Sequence, residues 1–292
     1  MVHAGVVVEA FDSPTAVLNA AEHRPVNDAW QGHKRDSDMK DDWGGVRSFA
    51  AAVEKAREGF TEVTEEMKLA YDTSKAYVQE RIKPRQVLPI NAYVGSTPNV
   101  TRAILGLPKD MRRVKMESRK VPGIEIIYET GLNCRYEDRE LKERGARMLV
   151  LLSLLTMHGI PVKLDVSSCV RGLRQNTDEV LMSKYTIQGW GEPMNIRKVS
   201  YWLAHPSVLR RISFAIWETS KYVQCYDRGY GYPVTNSDSR TQGLKDLFKS
   251  EGKTFLTTND FKTDEDIIRV WNEITGQEVK VDDAGQEQRD QY

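Results

Sequence analysis

The run Ala146-Arg147-Met148-Leu149-Val150-Leu151-Leu152-Ser153-Leu154-Leu155 constrains this chain more than any other stretch. A helix so apolar leaves no side for water and has to be packed nearly all round. It is preceded by Ile124–Glu129 and followed, after Gly159, by Ile160–Val166, two apolar runs rich in β-branched residues that read as strands. Strand, buried helix, strand is a βαβ crossover, and its two strands pair in parallel. The fold class is α/β, a central mixed sheet with a buried crossover helix, with α+β as the open variant.

The rest of the chain is organised around that unit. Residues 1–45 are polar and broken, with Asp12-Ser13-Pro14 opening a short helical run and an acidic loop over 32–42, so a flexible N-terminal segment is expected. Residues 46–83 read as a helical hairpin: Ser48 is an N-cap, Phe49, Val53 and Ala56 share a face, Gly59 ends the first helix, and Thr64 to about Arg81 forms the second. Residues 84–276 form the α/β core, with a projecting basic hairpin near 109–128 in which Val114–Arg119 pairs with Ile124–Glu129 across a Val121-Pro122-Gly123 turn. A strand over Leu181–Gln188, helices over 195–204 and 206–217, and a capped helix over Asp264–Thr275 complete it. Residues 277–292 carry an acidic excess without periodicity and read as a disordered tail.

Charge is distributed unevenly. Lysine and arginine number 42, as do aspartate and glutamate, yet residues 81–120 carry ten cations against two acids, a net of +8, while residues 1–80 carry nine against fifteen, a net of −6. A stripe of one sign attracts an oppositely charged polymer. The bland alternative is a wet edge strand protected by its lysines and arginines. On the polymer reading the phosphate ligands are Lys83, Arg85, Arg102, Arg112, Arg113, Lys115, Arg119 and Lys120. Single-stranded nucleic acid also needs flat side chains for its unstacked bases. Tyr93, Tyr128 and Tyr136 are candidates, as are Tyr226, Tyr230 and Tyr232 in the Tyr/Gly-rich stretch 222–232, whose rings could equally fold onto the core.

Nothing in the sequence argues for an enzyme. The five histidines, His3, His23, His33, His158 and His205, show no HxH or HExxH spacing, and His158 and His205 read as capping residues. No GxSxG or GxxxxGK[ST] occurs, and no cofactor is expected. Cys134, Cys169 and Cys225 are odd in number and lack a CxxC, which points to a reducing, cytoplasmic setting. No secretory start and no run of ~18–20 apolar residues is present, so no membrane partner is expected.

Trp43–Gly59, Arg144-Gly145-Ala146 with Gly159-Ile160-Pro161-Val162, and Leu203-Ala204-His205-Pro206 through Phe214 resemble a family of uncharacterised phage and mobile-element proteins over roughly residues 40–220. In that family the central part is similar to a von Willebrand factor A-type domain. Such a domain holds a divalent metal through Asp-x-Ser-x-Ser after its first strand. The comparable place here reads Glu129-Thr130-Gly131-Leu132-Asn133, without the aspartate or the serines, so no metal is expected. Size, tail and basic stretch also resemble the Drc-type single-stranded-DNA-binding cofactors of lytic phages. That likeness implies a homo-oligomer in the host cytoplasm that holds melted DNA and recruits a phage RNA polymerase. The alternative is a protein-interaction module with a metal-free A-type core.

Overall fold

The computed structural model describes residues 2–3, 5–28, 44–59, 61–82, 89–93, 97–109, 111–114, 122–132, 136–174, 178–224 and 230–279. For residues 2–3, 61–67, 89–90, 92, 97 and 112–114 it describes the backbone alone. The strands in chain order are β1 Val2–His3, β2 Val6–Phe11, β3 Pro89–Ala92, β4 Thr97–Pro98, β5 Met111–Val114, β6 Ile124–Glu129, β7 Val162–Arg171, β8 Val180–Gln188, β9 Tyr232–Pro233 and β10 Thr254–Thr257. They form two sheets. The larger has the order β1-β2-β8-β7-β6-β10, with β9 extending the ladder along β7, and the smaller has the order β3-β5-β4.

The βαβ unit is present. β6 and β7 pair in parallel from Ile124↔Val162 to Glu129↔Ser167, and the helix Asp138–Met157 crosses between them. Ile126, Ile127 and Tyr128 are fully buried, as expected of a strand covered on both faces. The helix begins where the Glu140 carboxylate accepts the Glu137 amide at 3.3 Å and where Asp138 and Glu140 meet the positive end of the helix dipole. His158 caps its end, and Gly159 follows in the left-handed region at φ 70°. Gly145 lets this helix lie against the helix Ile196–Ala204: a Cβ at that position would stand 2.5 Å from the Ala204 Cβ. The sheet is mixed because β8 runs antiparallel to β7, whereas β2 is parallel to β8 and β10 is parallel to β6.

Most helices cover one face of the large sheet, where Val17, Leu18, Val53, Leu151, Leu155, Trp202, Trp217 and Trp271 belong to one continuous core. On the other face the helix Asp238–Ser250 seals a smaller cluster containing Val6, Ile127, Cys169, Met182, Leu244 and Phe248. Beside that cluster the same strands carry charge that cancels locally. Lys184 meets Asp165 at 2.5 Å, Lys163 meets Glu125 at 3.2 Å, and the Thr186 hydroxyl donates to Asp165 at 2.7 Å.

Three expectations change. Residues 6–23 are part of the core rather than a flexible segment: β2 pairs with β8 over Val6↔Val180 to Phe11↔Tyr185, and the helix Pro14–His23, capped by Ser13, buries Val17, Leu18, Ala20 and Ala21. The acidic loop 32–42 lies outside the described residues. The hairpin near 109–128 does not form as expected, because both edges of β6 are taken by β7 and β10. The basic strand β5 pairs with β3 and β4 instead, and residues 115–121 lie outside the described residues. Finally, residues 277–279 fold back onto the last helix. Asn272 exchanges two hydrogen bonds with Val279, at 2.8 and 3.1 Å, and the Trp271 indole donates to Gln277 at 3.3 Å.

Candidate nucleic-acid interface

The described part of the basic stretch beyond residue 88 is built on the small sheet. β5 places Arg112 opposite Asn91 of β3 and Thr97 of β4, and Arg113 opposite Ile90. Asn99 caps the short helix Val100–Ile104, accepting the Arg102 amide at 3.4 Å, and its side-chain amide donates to Asn91 at 3.0 Å, which ties the helix to β3. The Arg102 guanidinium donates to the Pro108 carbonyl at 2.7 Å and draws the following turn against the helix. Lys109 closes that turn with φ 59°, a left-handed conformation that disfavours a lysine. Its ammonium lies 5.9 Å from the centroid of Tyr93, whose ring is 71% exposed. Arg102 and Lys109 thus contact a carbonyl and an aromatic face, in contrast to the carboxylate-paired lysines of the large sheet.

The other proposed phosphate ligands fall differently. Arg112 and Arg113 are described by their backbone, and Lys83, Arg85, Lys115, Arg119 and Lys120 lie outside the described residues.

The tyrosines separate into distinct roles. Tyr230 does not offer a free ring: it stacks on Phe214 with centroids 3.7 Å apart, and its hydroxyl donates to Glu218. Tyr232 lies in β9 opposite Arg171, 49% exposed, and Tyr226 lies outside the described residues. Tyr128 is fully buried, where loss of water pushes its phenol well above the ordinary range. The Arg144 guanidinium sits 4.9 Å from the Tyr136 centroid.

Two polar constellations escaped the sequence reading. Glu129, fully buried at the end of β6, accepts from the Gly131 amide at 2.8 Å, the Ser167 hydroxyl at 2.7 Å and the Cys169 amide at 2.9 Å. Burial raises its pKa above the ordinary carboxylate value, opposed by those hydrogen bonds. Both oxygens are engaged and Gly131 has no side chain, so these residues do not fit a metal. Among the described residues no group of three or more His, Cys, Asp or Glu side chains is placed to hold one. Elsewhere His205 caps the helix Ile196–Ala204, and its Nδ1 lies 2.6 Å from the Ser207 hydroxyl, which in turn lies 2.8 Å from Tyr201 Oη. Burial first, then the nearby Lys55 and Lys142 charges, lowers the His205 pKa to about 3, so the ring is neutral. Gly45 packs on this histidine, and the buried Arg211 donates to the Val46 carbonyl at 3.2 Å. The 44–59 and 203–214 stretches therefore meet in space and hold each other.

The sequence profile of a family described as a domain of unknown function, DUF7192, matches residues 2–282. The chain belongs to that family. The DUF7192 match takes in both sheets, so the basic stretch lies within the family domain rather than appended to it. Comparison with curated proteins and with solved structures finds no significant match. No helix among the described residues is long and apolar enough to cross a membrane.

Proposed function

We propose that this protein binds single-stranded DNA through the basic stretch 81–120, without base chemistry. The observation that carries the reading is a contrast in charge pairing. The lysines of the large sheet meet carboxylates, whereas on the separate small sheet and the helix and turn attached to it, which carry Arg102, Lys109, Arg112 and Arg113 of the +8 stretch, Arg102 and Lys109 meet neither Asp nor Glu among the described residues. Tyr93 supplies an exposed ring in that stretch, and stacking of a base on an aromatic side chain contributes ~1–3 kcal/mol. A small basic sheet offers a short footprint, and self-association multiplies phosphate contacts through effective concentration. The wider role, a phage transcription cofactor that holds melted DNA in the host cytoplasm and recruits a phage RNA polymerase, belongs to the same proposal and rests on the resemblance to Drc-type cofactors. The strand order β8-β7-β6-β10 around a βαβ unit supports likeness to an A-type core.

The test is fluorescence anisotropy with a labelled oligonucleotide, comparing the wild type with Arg112→Ala/Arg113→Ala. Removing two phosphate contacts lowers the magnitude of the salt slope by about 1.4. An unchanged slope and affinity contradict the assignment.

One observation favours a second reading, a protein-interaction module: Val100, Ile104, Leu105 and Leu107 are exposed together on the small helix and its turn. Binding to a protein partner with no salt-sensitive affinity for DNA would support it.

A further inference from the structure

We infer that the short helix Val100–Ile104 and the turn after it are a docking surface for an anionic lipid bilayer. Of the ten large apolar side chains exposed among the described residues, five are Tyr93, Val100, Ile104, Leu105 and Leu107. No residue of the helix is buried, and Ile104 is 79% exposed. Apolar side chains scattered singly over a surface are ordinary, whereas a contiguous group of them marks a contact.

These side chains belong to one surface. Val100 and Ile104 stand one turn apart on the helix. The Asn99 side chain ties that helix to Asn91 of β3, and beyond the turn the Lys109 ammonium lies 5.9 Å from the Tyr93 ring centroid. Leu105 and Leu107 are exposed in the turn between.

The charge around them has one dominant sign. Residues 89–114 carry Arg102, Lys109, Arg112 and Arg113 against Asp110 alone. Two copies of this chain meeting through the patch would bring like charges together, which disfavours a second copy as its occupant. An anionic bilayer matches both halves of the surface: its acyl boundary takes the apolar side chains and its headgroups meet the cations.

The backbone fits the same environment. A turn that enters a headgroup layer loses water from its amides and carbonyls, and groups left unpaired there are costly. Here the turn bonds to itself: the Ala103, Leu105, Gly106 and Leu107 amides donate to the Asn99, Thr101, Ala103 and Arg102 carbonyls at 3.0, 3.2, 3.1 and 2.9 Å. Pro108 has no amide to satisfy, and its carbonyl accepts from Arg102 at 2.7 Å. The segment lies on the bilayer and does not cross it, since no helix among the described residues is long and apolar enough to do so.

The test is co-sedimentation of the full chain with vesicles of phosphatidylcholine alone or containing roughly one-third phosphatidylserine. The wild type should sediment with the anionic vesicles and stay largely in solution with the neutral ones. On anionic vesicles Ile104→Ser/Leu105→Ser should weaken partitioning roughly tenfold or more, and Lys109→Gln roughly fivefold. All three side chains are exposed, so both variants should melt with the wild type. The apolar residues play no part in the single-strand reading, so oligonucleotide affinity of Ile104→Ser/Leu105→Ser should be unchanged. A wild type that stays in solution with anionic vesicles overturns the lipid surface while any oligonucleotide binding stands, and leaves the patch to a protein partner. Sedimentation that Ile104→Ser/Leu105→Ser does not reduce, or that neutral vesicles match, overturns it as well.

Discussion

The Glu129 carboxylate accepts the Cys169 amide at 2.9 Å, beyond the last residue at which β6 pairs with β7. A side chain takes over where the backbone ladder stops. Because burial raises its pKa, folding shifts this group toward the protonated acid relative to the unfolded chain. Stability linked to this group is fully present below the unfolded pKa and is lost as pH rises through the higher folded value. Thermal melts should therefore show wild-type stability declining above pH 4.5, the ordinary value, with that slope reduced in Glu129→Gln. Glu129→Ala leaves the Cys169 amide and the Ser167 hydroxyl without their acceptor and should cost about 2–5 kcal/mol.

His205 gives the opposite sign. Its folded pKa is depressed from 6.5 to about 3, so its stability is present above pH 6.5 and lost as pH falls toward 3. His205→Asn should flatten that part of the acid unfolding curve, followed by circular dichroism. An equally steep acid limb in the variant would show that the His205–Ser207–Tyr201 chain is not responsible.

Gly145→Val should destabilise strongly. The new Cβ meets Ala204 at 2.5 Å and Leu203 O at 3.0 Å, so the two helices must separate, and overpacking of this kind costs about 1–3 kcal/mol or more. Chemical denaturation measures it, and the matching Ala204→Gly change should recover part of the loss.

Tyr230→Ala should act on stability rather than on binding. The ring stacks on Phe214 and its hydroxyl is held by Glu218, so truncation removes packing and leaves a buried carboxylate short of a donor. Oligonucleotide affinity of the folded variant should stay within about twofold of the wild type, since stacking of a base, ~1–3 kcal/mol, needs a ring that is free to take it.

The periodic elements were legible because their signals are local. Ala146–Leu155 announced a buried helix, Ser48 and Gly59 framed another, and Thr263 with Gly276 bounds the last at the expected place. Pairing partners were not legible. Val114 and Ile124 are separated by a turn-like Val121-Pro122-Gly123, which favours a hairpin locally, but β6 gains two parallel neighbours from residues far along the chain. Val6–Phe11 falls inside a segment read as polar and broken, and its ladder comes from β8, about 170 residues away. At the candidate interface, composition singles out the basic stretch and Tyr93, but not which aromatic rings remain open. Tyr230 and Trp190 each have glycine close by in sequence; only packing distinguishes the ring folded onto Phe214 from the one left facing solvent.

The central claim, a salt-sensitive grip on single-stranded DNA, is tested most directly by anisotropy titrations of one labelled single strand at 50 and 200 mM salt, with duplex DNA and RNA as competitors. Phosphate contacts from the eight proposed ligands predict a loss of affinity of roughly three to four orders of magnitude between the two salts, with duplex DNA competing poorly. Affinity that is absent at 50 mM, or unchanged at 200 mM, contradicts the account.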